Sequence, residues 1–329
     1  MAKKILRRIQ KIGNSSYAIV LPKNWIKDLK LEKSDPLTVE LEGSKLSIYP
    51  SHKVSEKEEL EYTIKVSEDE RVSLIIRMFI SAYLLGARSI KVEAKEKKLP
   101  ATLKDELKKY AKDIMIGIEV VEESLESITF QELVSWPSMN LFGLIRRMHT
   151  IALNMVKDSY SALINDDEDI RESVVSSDTE VDKFYFYGIR VLNEVVYNKD
   201  MLQSFGLTKD VHILISKSLL KNIERIADHA VNIASIRGFS ISESDRKKLQ
   251  NLYEKVLSVF EKSYEALVSQ DKFKANEIID YVQEIRKEME NYASIPQNII
   301  EHFERIAEYT SDIAENIIDY SVSNEILKY

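Results

Sequence analysis

Oxygen-bearing side chains recur at a four-residue spacing in two related stretches of the chain. Residues 223–234 read IERIADHAVNIA, and residues 303–314 read FERIAEYTSDIA. Residues four apart on an α-helix differ by about 400° of rotation, so successive side chains at this spacing are displaced by only about 40° around the helix. Each stretch therefore predicts one line of oxygens along one helix face. The members are Glu224, Asp228 and Asn232 in the first stripe, and Glu304, Glu308 and Asp312 in the second.

Such stripes predict a site for a hard cation. Like charges four residues apart destabilise a helix by roughly 0.2–0.5 kcal/mol per pair, and a bound cation would offset that cost. Sets of oxygen ligands suit magnesium, calcium, manganese or oxidised iron better than zinc. Other predicted helices repeat the spacing and would supply further ligands. These additional acids are Asp178 and Asp182, and Asp280 and Glu284.

Two other interpretations of the stripes stay open at this point. Acid pairs at this spacing commonly form a solvated helix face, and this alternative applies most strongly to the four additional acids. Arg225 and Arg305 each follow a stripe glutamate, so their guanidinium groups would neutralise carboxylates without any metal. His229 follows Asp228 but has no histidine counterpart in the second stretch, so we interpret it as a packing or capping residue.

The composition indicates a multidomain, mainly helical protein. The chain has 329 residues, of which 44% are hydrophobic and 31% charged, with only 8 Gly and 6 Pro. That length exceeds one ordinary core, and so few helix breakers favour long helices. The absence of cysteine excludes disulfides, thiolate metal sites and cysteine nucleophiles.

The first residues, MAKKILRRIQKIG, lack the apolar core of a secretory signal. The longest apolar-rich run, 72–87, contains Arg77 and is too short to span a membrane. We therefore expect a cytoplasmic protein without membrane insertion.

Charge is distributed unevenly along the chain. The net charge is −7, but residues 1–30 contain eight Lys and Arg residues and one acidic residue, so this segment carries about +7 and the remainder about −14. A basic segment on an acidic body suggests binding to a polyanion. An ordinary basic tail is the alternative.

The first fifty residues predict a small β-rich domain. Strands at 7–12 and 17–21 flank the turn Gly13-Asn14-Ser15-Ser16, and a helix at 23–29 follows Pro22. A second hairpin pairs 37–42 with 45–49. So small a unit buries little surface, and we expect it to pair with a second copy.

Residues 5–50 resemble the AbrB/SpoVT swapped-hairpin DNA-binding family, through the Gly-Asn-Ser turn, the Leu-Pro-Lys strand end and the turn at Asp35-Pro36. The resemblance implies an intertwined homodimer that presents basic side chains to DNA. One residue departs from the family, because Ser34 stands where glycine is usual. The alternative is a domain that only dimerises. The predicted DNA-binding residues are Lys4, Arg7, Arg8, Lys11 and Asn14.

Residues 51–137 predict a small α/β connector whose function the sequence does not indicate. A polar linker at 51–60 precedes predicted strands at 62–66, 89–93, 116–121 and 127–131, and predicted helices at 69–85 and 101–112. The segment contains no Gly-rich phosphate loop and no metal-ligand spacing.

From residue 138 onward the hydrophobic pattern has a helical period. Six helices are predicted, at 138–165, 168–198, 208–238, 243–270, 272–290 and 295–324. The repeated stretches divide them into two three-helix bundles, 138–240 and 241–329. Several large side chains at helical spacings are predicted core residues, namely Met155, Tyr185, Phe186, Tyr187 and Phe260.

Residues 138–329 resemble the PhoU family, whose hallmark is two three-helix bundles with a Glu/Asp-x-x-x-Asp motif on each last helix. Residues 224–234 match the signature ERIGDHAxNIA closely, whereas Glu308 stands where aspartate is usual in the second copy. The resemblance implies control of phosphate uptake and contact with the ATPase of a phosphate transporter or a related signalling protein. An AbrB-like domain joined to such bundles resembles the archaeal type of PhoU-related regulator.

Two functions are open at this stage, and an enzyme is disfavoured. The protein is either a DNA-binding regulator of phosphate uptake or a transporter-docking adaptor whose N-terminal domain only dimerises. Ferritin-like di-metal chemistry requires Glu-x-x-His pairs, but none of the five histidines lies three residues after a glutamate. A Ser/His/Asp set and a P-loop are also not evident in the sequence.

Overall fold

The computed structural model describes residues 5–42, 45–51, 60–67, 69–96, 98–133 and 139–327. Two compact units are present, residues 1–59 and residues 60–328. The chain is mainly helical, with small β hairpins at the N-terminus and a helical C-terminal region, so the predicted fold class is confirmed. No helix in the described ranges combines the length and the apolar character needed to cross a membrane.

The N-terminal unit consists of two antiparallel hairpins separated by a short helix. Strands β1 (Gln10–Ile12) and β2 (Ser16–Ala18) form the first hairpin, and Gly13 in its turn has a φ of +65°. Helix α1 (Lys23–Asp28) follows, and β3 (Leu37–Glu42) pairs with β4 (Lys45–Pro50). The predicted order is confirmed.

The first hairpin is shorter than the sequence pattern predicts. The predicted strands 7–12 and 17–21 are paired over only three residues each. Beyond the ladder, the Arg7 Nε donates a hydrogen bond to the Val20 carbonyl at 3.2 Å. A side-chain contact of this kind leaves no trace in hydrophobic periodicity.

The α/β part of the second unit is a four-stranded sheet with two helices on one face. Its strand order is β5-β6-β8-β7, with β5 and β6 parallel and the other pairs antiparallel. Its core contains Phe79, Leu107 and Phe130, all fully buried. The elements are β5 (Glu61–Val66), α2 (Val72–Leu84), β6 (Ser89–Ala94), α3 (Ala101–Ile114), β7 (Ile118–Glu123) and β8 (Ser127–Glu132). The predicted alternation is confirmed, while most of the predicted linker, residues 52–59, lies outside the described residues.

The helical part contains the six predicted long helices and one short additional helix. The long helices are α4 (Leu141–Asn165), α5 (Glu168–Tyr197), α7 (Val211–Ala234), α8 (Glu243–Ser269), α9 (Lys272–Met289) and α10 (Gln297–Ile326). The added helix, α6 (Asp200–Ser204), lies in a segment predicted as a break. Five residues are too few to display a helical period, which explains why the pattern does not reveal it.

The two bundles share one internal construction. In both, the first helix ends at a left-handed residue, Asp166 (φ 52°) or Gln270 (φ 51°). The next residue, Asp167 or Asp271, then caps the second helix through its carboxylate. Helices α4, α5 and α7 form the first bundle, and α8, α9 and α10 form the second. This structural repetition supports the predicted pair of three-helix bundles.

The two bundles and the α/β part pack on one another. The bundles meet through α7 against α10 and through α4 against α8, and they share a continuous apolar core. Helices α2 and α3 pack on α5, so α5 belongs to the first bundle and also supports the α/β part. Met155, Tyr187 and Phe260 are buried as predicted, while Tyr185 and Phe186 are half-buried at the core edges.

Candidate functional site

Four carboxylates from two facing helices come together in the first bundle. Asp178 and Asp182 lie on α5, and Glu224 and Asp228 lie on α7. Loss of solvent, followed by the charges of Asp178, Glu224 and Asp228, raises the pKa of Asp182 to about 7. We call these four residues the first acid cluster. The structure therefore joins two acid pairs that the sequence presents more than forty positions apart.

Desolvation acts on every other member of the first acid cluster, and repulsion by neighbouring carboxylates also acts on Asp178 and Glu224. Desolvation, then Asp228 and Glu224, raise the pKa of Asp178 to about 6. Desolvation also raises the pKa values of Glu224 and Asp228. Helical geometry is the cause of this arrangement. The buried residues Val181 and Ala227 fix the inward faces of α5 and α7, and the acids occupy the adjoining positions.

Two cations lie beside the first acid cluster. The Lys221 Nζ contacts the Glu224 carboxylate oxygens at 2.6 and 2.5 Å, and it lies 5.1 Å from the centre of the Tyr185 ring. The Arg225 guanidinium is directed over the Tyr309 ring at 5.3 Å and lowers the pKa values of Glu224 and Asp228 from a distance. Two positive charges lie beside four carboxyl groups, so the site carries a net negative charge once all four are ionised, and a bound cation would favour that ionised state.

The predicted metal ligands are neighbours but are not preassembled. Within the described ranges, no three His, Asp or Glu side chains converge closely enough to hold a metal ion. Asn232, a predicted ligand, is exposed on α7. The four carboxylates have the donor chemistry of a magnesium, calcium or manganese site. Ligation would require Glu224 to exchange its contact with Lys221 for the metal.

The second stripe has a different environment. Glu304, Glu308 and Asp312 are half-buried on α10. Arg286 on α9 directs its Nε to Glu304 at 3.1 Å and its Nη2 to Glu308 at 3.0 Å. Arg305 Nη1 lies 2.8 Å from the other Glu308 oxygen. The sequence anticipates neutralisation by Arg305 but does not identify Arg286, the residue that bridges the two glutamates.

The remaining acids and the signature histidine contribute to surface or packing. Asp280 and Glu284 are exposed on α9, and Asp280 accepts a hydrogen bond from Asn276 at 2.9 Å. His229 Nδ1 lies 3.0 Å from His302 Nδ1 across the α7–α10 contact, so one ring donates and the other accepts. Burial, with His302 and Arg305 nearby, lowers the pKa of His229 to about 4. This inter-helix contact supports the packing interpretation of His229.

The predicted DNA-binding residues lie on the surface of the N-terminal unit. Arg7, Arg8 and Lys11 are exposed along the approach to β1 and within it, and Asn14 is exposed in the following turn. Lys4 lies outside the described residues. These positions stay predictions, because their accessibility is compatible with DNA but does not identify it.

The N-terminal unit has no apolar core of its own in the part that the structure describes. Among residues 5–42 and 45–51 no side chain of the Ala, Val, Ile, Leu, Met, Phe, Trp or Tyr type is buried. Many apolar side chains are instead exposed, although alternation predicts that they should pack. They are Ile5, Leu6, Ile9, Ile12, Tyr17, Ile19, Val20, Val39, Leu41 and Leu46.

Comparison with known proteins identifies two domain types in the chain. Residues 145–236 match the family model of the PhoU domain. Residues 10–57 match the model of the antidote–toxin recognition protein MazE, a bacterial antitoxin. The first match covers most of the first bundle and includes the first acid cluster. No curated protein matches the chain.

Solved structures that resemble part of the chain include two PhoU proteins. One is the phosphate transport system regulatory protein PhoU from Streptococcus pneumoniae, with 20% identity and a TM-score of 0.41, covering 56% of this chain and 95% of that one. The other is PhoU from Pseudomonas aeruginosa, with 18% identity and a TM-score of 0.44, covering 56% and 96%.

Residues 10–57 are thus similar to MazE/AbrB-like domains and residues 145–236 to PhoU domains, in agreement with the two resemblances that the sequence shows.

Proposed function

We propose that this protein is a non-enzymatic regulator of phosphate uptake that acts at DNA as a homodimer and senses its signal through the helical part. The PhoU match supports the link to phosphate uptake, since a similar solved protein is a phosphate transport system regulator. The observation that carries the DNA part is the N-terminal unit, which is basic and has a set of unburied apolar side chains.

Dimerisation is the step that supplies the missing core. An exposed Leu or Ile side chain forgoes about 1.5–3 kcal/mol relative to a buried one, and ten such large side chains are exposed here. Pairing with a second copy would bury them and would place two basic surfaces side by side. Light scattering on the purified chain tests this step, and a monomer at micromolar concentration would contradict it.

DNA binding is tested by its dependence on salt. We expect the protein to bind duplexes from promoters of phosphate-transporter genes more tightly than scrambled duplexes. We also expect affinity to fall steeply as salt rises, because each phosphate contact releases condensed counterions. A titration with fluorescent duplexes at several salt concentrations measures both effects. Binding that is absent, or that does not respond to salt, would refute the transcriptional part of the proposal.

We also propose that the first acid cluster binds a hard divalent cation. Asp178, Asp182, Glu224 and Asp228 would hold it, and the ion would supply the positive charge that the cluster lacks. Lys221 would release Glu224 as the ion enters. The repulsion between carboxylates that helps to raise the pKa values of Asp178, Asp182 and Glu224 supports this assignment.

Elemental analysis and titration with manganese test the cation proposal. Wild-type protein should bind Mn²⁺, and Glu224→Gln should bind it markedly more weakly. Glu284→Gln, which removes an exposed carboxylate of the same type on α9, serves as the matched control and should leave binding unchanged. Equal and negligible binding by all three proteins would leave the cluster as a charged surface.

The adaptor function is the competing proposal. In it, the helical part docks on a phosphate transporter ATPase or a signalling protein, and the N-terminal unit serves only dimerisation. A regulator that loses all DNA binding and yet retains phosphate-dependent control in cells would favour this adaptor.

A further inference from the structure

The second helices of the two bundles begin alike and then differ at one informative position. Helices α5 and α9 both follow a left-handed residue and both start from an aspartate cap, Asp167 or Asp271. The fifteenth residue after the cap is Asp182 in α5 and Arg286 in α9. Each of these side chains faces the acids of the third helix of its bundle. The same place in the fold thus carries opposite charges.

The charge at this position decides the environment of the acids opposite. Asp182 adds a fourth carboxylate to the first acid cluster. Arg286 instead bridges Glu304 and Glu308, which lie one helical turn apart, at 3.1 and 3.0 Å. Arg305 contacts Oε2 of Glu308, the oxygen that Arg286 does not contact. The two glutamates of the second stripe therefore already have positive partners.

A guanidinium is well suited to take the place of a bound cation between two carboxylates. Arginine stays protonated at every physiological pH, and its planar fork contacts two carboxylates at once. Lys221 in the first bundle is a single ammonium that contacts one glutamate on its own helix. Removing Lys221 from Glu224 breaks the ion pair with one carboxylate, whereas removing Arg286 breaks ion pairs with two. The first acid cluster is consequently the easier one for an external cation to enter.

We propose that Arg286 is the built-in cation of the second stripe, so that the second bundle takes no metal ion. The residue at this helix position then determines whether a bundle accepts an ion, with aspartate opening the site and arginine closing it. The part of this inference that concerns the first bundle rests on the proposed cation binding there. The part that concerns the second bundle stands on the Arg286 contacts.

Manganese titration of matched charge variants of the full-length chain tests the inference. Arg286→Asp gives the second bundle the residue of the first, and we expect it to bind about one Mn²⁺ more than wild type. Lys287→Asp changes the neighbouring exposed residue by the same charge and should bind no more than wild type. Asp182→Arg places an arginine in the first bundle and should remove the wild-type ion. Circular dichroism checks that each variant is folded.

The outcomes separate this inference from the proposed function. If wild type binds no Mn²⁺, the first-bundle proposal fails, but a gain by Arg286→Asp over Lys287→Asp still supports the role of Arg286. A folded Arg286→Asp protein without any gain overturns it. If that variant does not fold, the double variant Glu304→Gln/Glu308→Gln tests instead whether the second stripe contributes to the Mn²⁺ binding of wild type. Unchanged Mn²⁺ binding supports an arginine-filled stripe, and weaker binding overturns it.

Discussion

Arg190 on α5 and Glu132 at the end of β8 form a buried ion pair, with 3.1 Å between Nη2 and Oε2 and side-chain exposures of 0% and 5%. The same guanidinium donates to the carbonyls of Tyr83 and Ala87 at the end of α2. Its Nε lies 3.2 Å from Glu194. One side chain thereby joins the first bundle to a helix and a strand of the α/β part.

Replacing this arginine should strongly destabilise the second unit. Arg190→Met leaves Glu132 without its closest cation and removes a donor from two buried carbonyls, so we expect the free energy of unfolding to fall by about 3–5 kcal/mol. Urea unfolding followed by circular dichroism measures it. Arg88→Met is the control, because Arg88 lies 3.9 Å from the same Glu132 oxygen and is 34% exposed. That control should cost about 0–1 kcal/mol, and equal effects of the two changes would contradict the special role of Arg190.

Ser34 predicts a stabilising change in the N-terminal unit. Its φ is +80°, a left-handed conformation that glycine adopts without a steric penalty. Ser34→Gly relieves a strain of roughly 1–2 kcal/mol but adds about 0.4–1 kcal/mol of freedom to the unfolded chain, so the free energy of unfolding should rise by about 1 kcal/mol. Trp25 in α1 reports on this unit by fluorescence when Trp136 is replaced by Phe.

Ser15→Gly is the matched control for this change, because Ser15 lies in a turn without a left-handed φ. Glycine there should be neutral or destabilising, since it adds freedom to the unfolded chain. Stabilisation by both changes, or by neither, would show that backbone strain at Ser34 is not the cause.

Local signals carried most of the fold prediction. Long helical periods, the aspartates that cap α5 and α9, and the glycine turn of the first hairpin are all readable within a few residues. The interruptions are less readable, and α6 escapes prediction because five residues have no period. Beyond the shortened first hairpin, Arg7 contacts Val20, and a contact between residues that are not neighbours in the sequence cannot be seen in a local pattern.

The candidate site was predictable only in part for a related reason. Spacing places Glu224 and Asp228 on one stripe, but it does not say which face of α5 turns toward them. The contact of Arg286 with Glu304 and Glu308 likewise depends on how α9 rotates against α10. The sequence did contain a sign of this difference between the bundles. When α5 and α9 are aligned on their aspartate caps, Arg286 takes the position equivalent to Asp182. The alignment shows that the charge at this position is reversed, and the structure shows that the arginine contacts Glu304 and Glu308.

The first acid cluster predicts an unusual dependence of stability on pH. The folded pKa of Asp182 is about 7 and that of Asp178 about 6, both above the ordinary aspartate value of 3.8. Between that value and about 7 the folded protein binds more protons than the unfolded chain. The contribution of these carboxyls to stability therefore falls as pH rises through this window.

Asp182→Asn should remove much of this dependence. In the absence of divalent metal, we expect the variant to gain stability over wild type at about pH 8 and to gain less at about pH 5. Asp280→Asn changes an exposed aspartate on α9 and should leave the pH profile unaltered. Urea unfolding at several pH values in a chelator makes the comparison, and a parallel offset of Asp182→Asn at every pH would contradict the predicted titration.

Neutralising the basic residues near the first hairpin distinguishes the DNA-binding regulator from the adaptor. Replacing Arg7, Arg8 and Lys11 by Gln should weaken DNA binding. It should also reduce the slope of log affinity against log salt by about 0.9 for each DNA phosphate that the variant no longer neutralises. Replacing Lys23, Lys27 and Lys30 by Gln removes the same charge from and beside α1, and we expect a smaller change in slope. Light scattering should find both variants as dimers, because the exposed apolar residues through which we propose that the copies pair are untouched. If phosphate-dependent control in cells survives the first triple change after DNA binding is abolished, the N-terminal unit serves dimerisation and the adaptor function is correct.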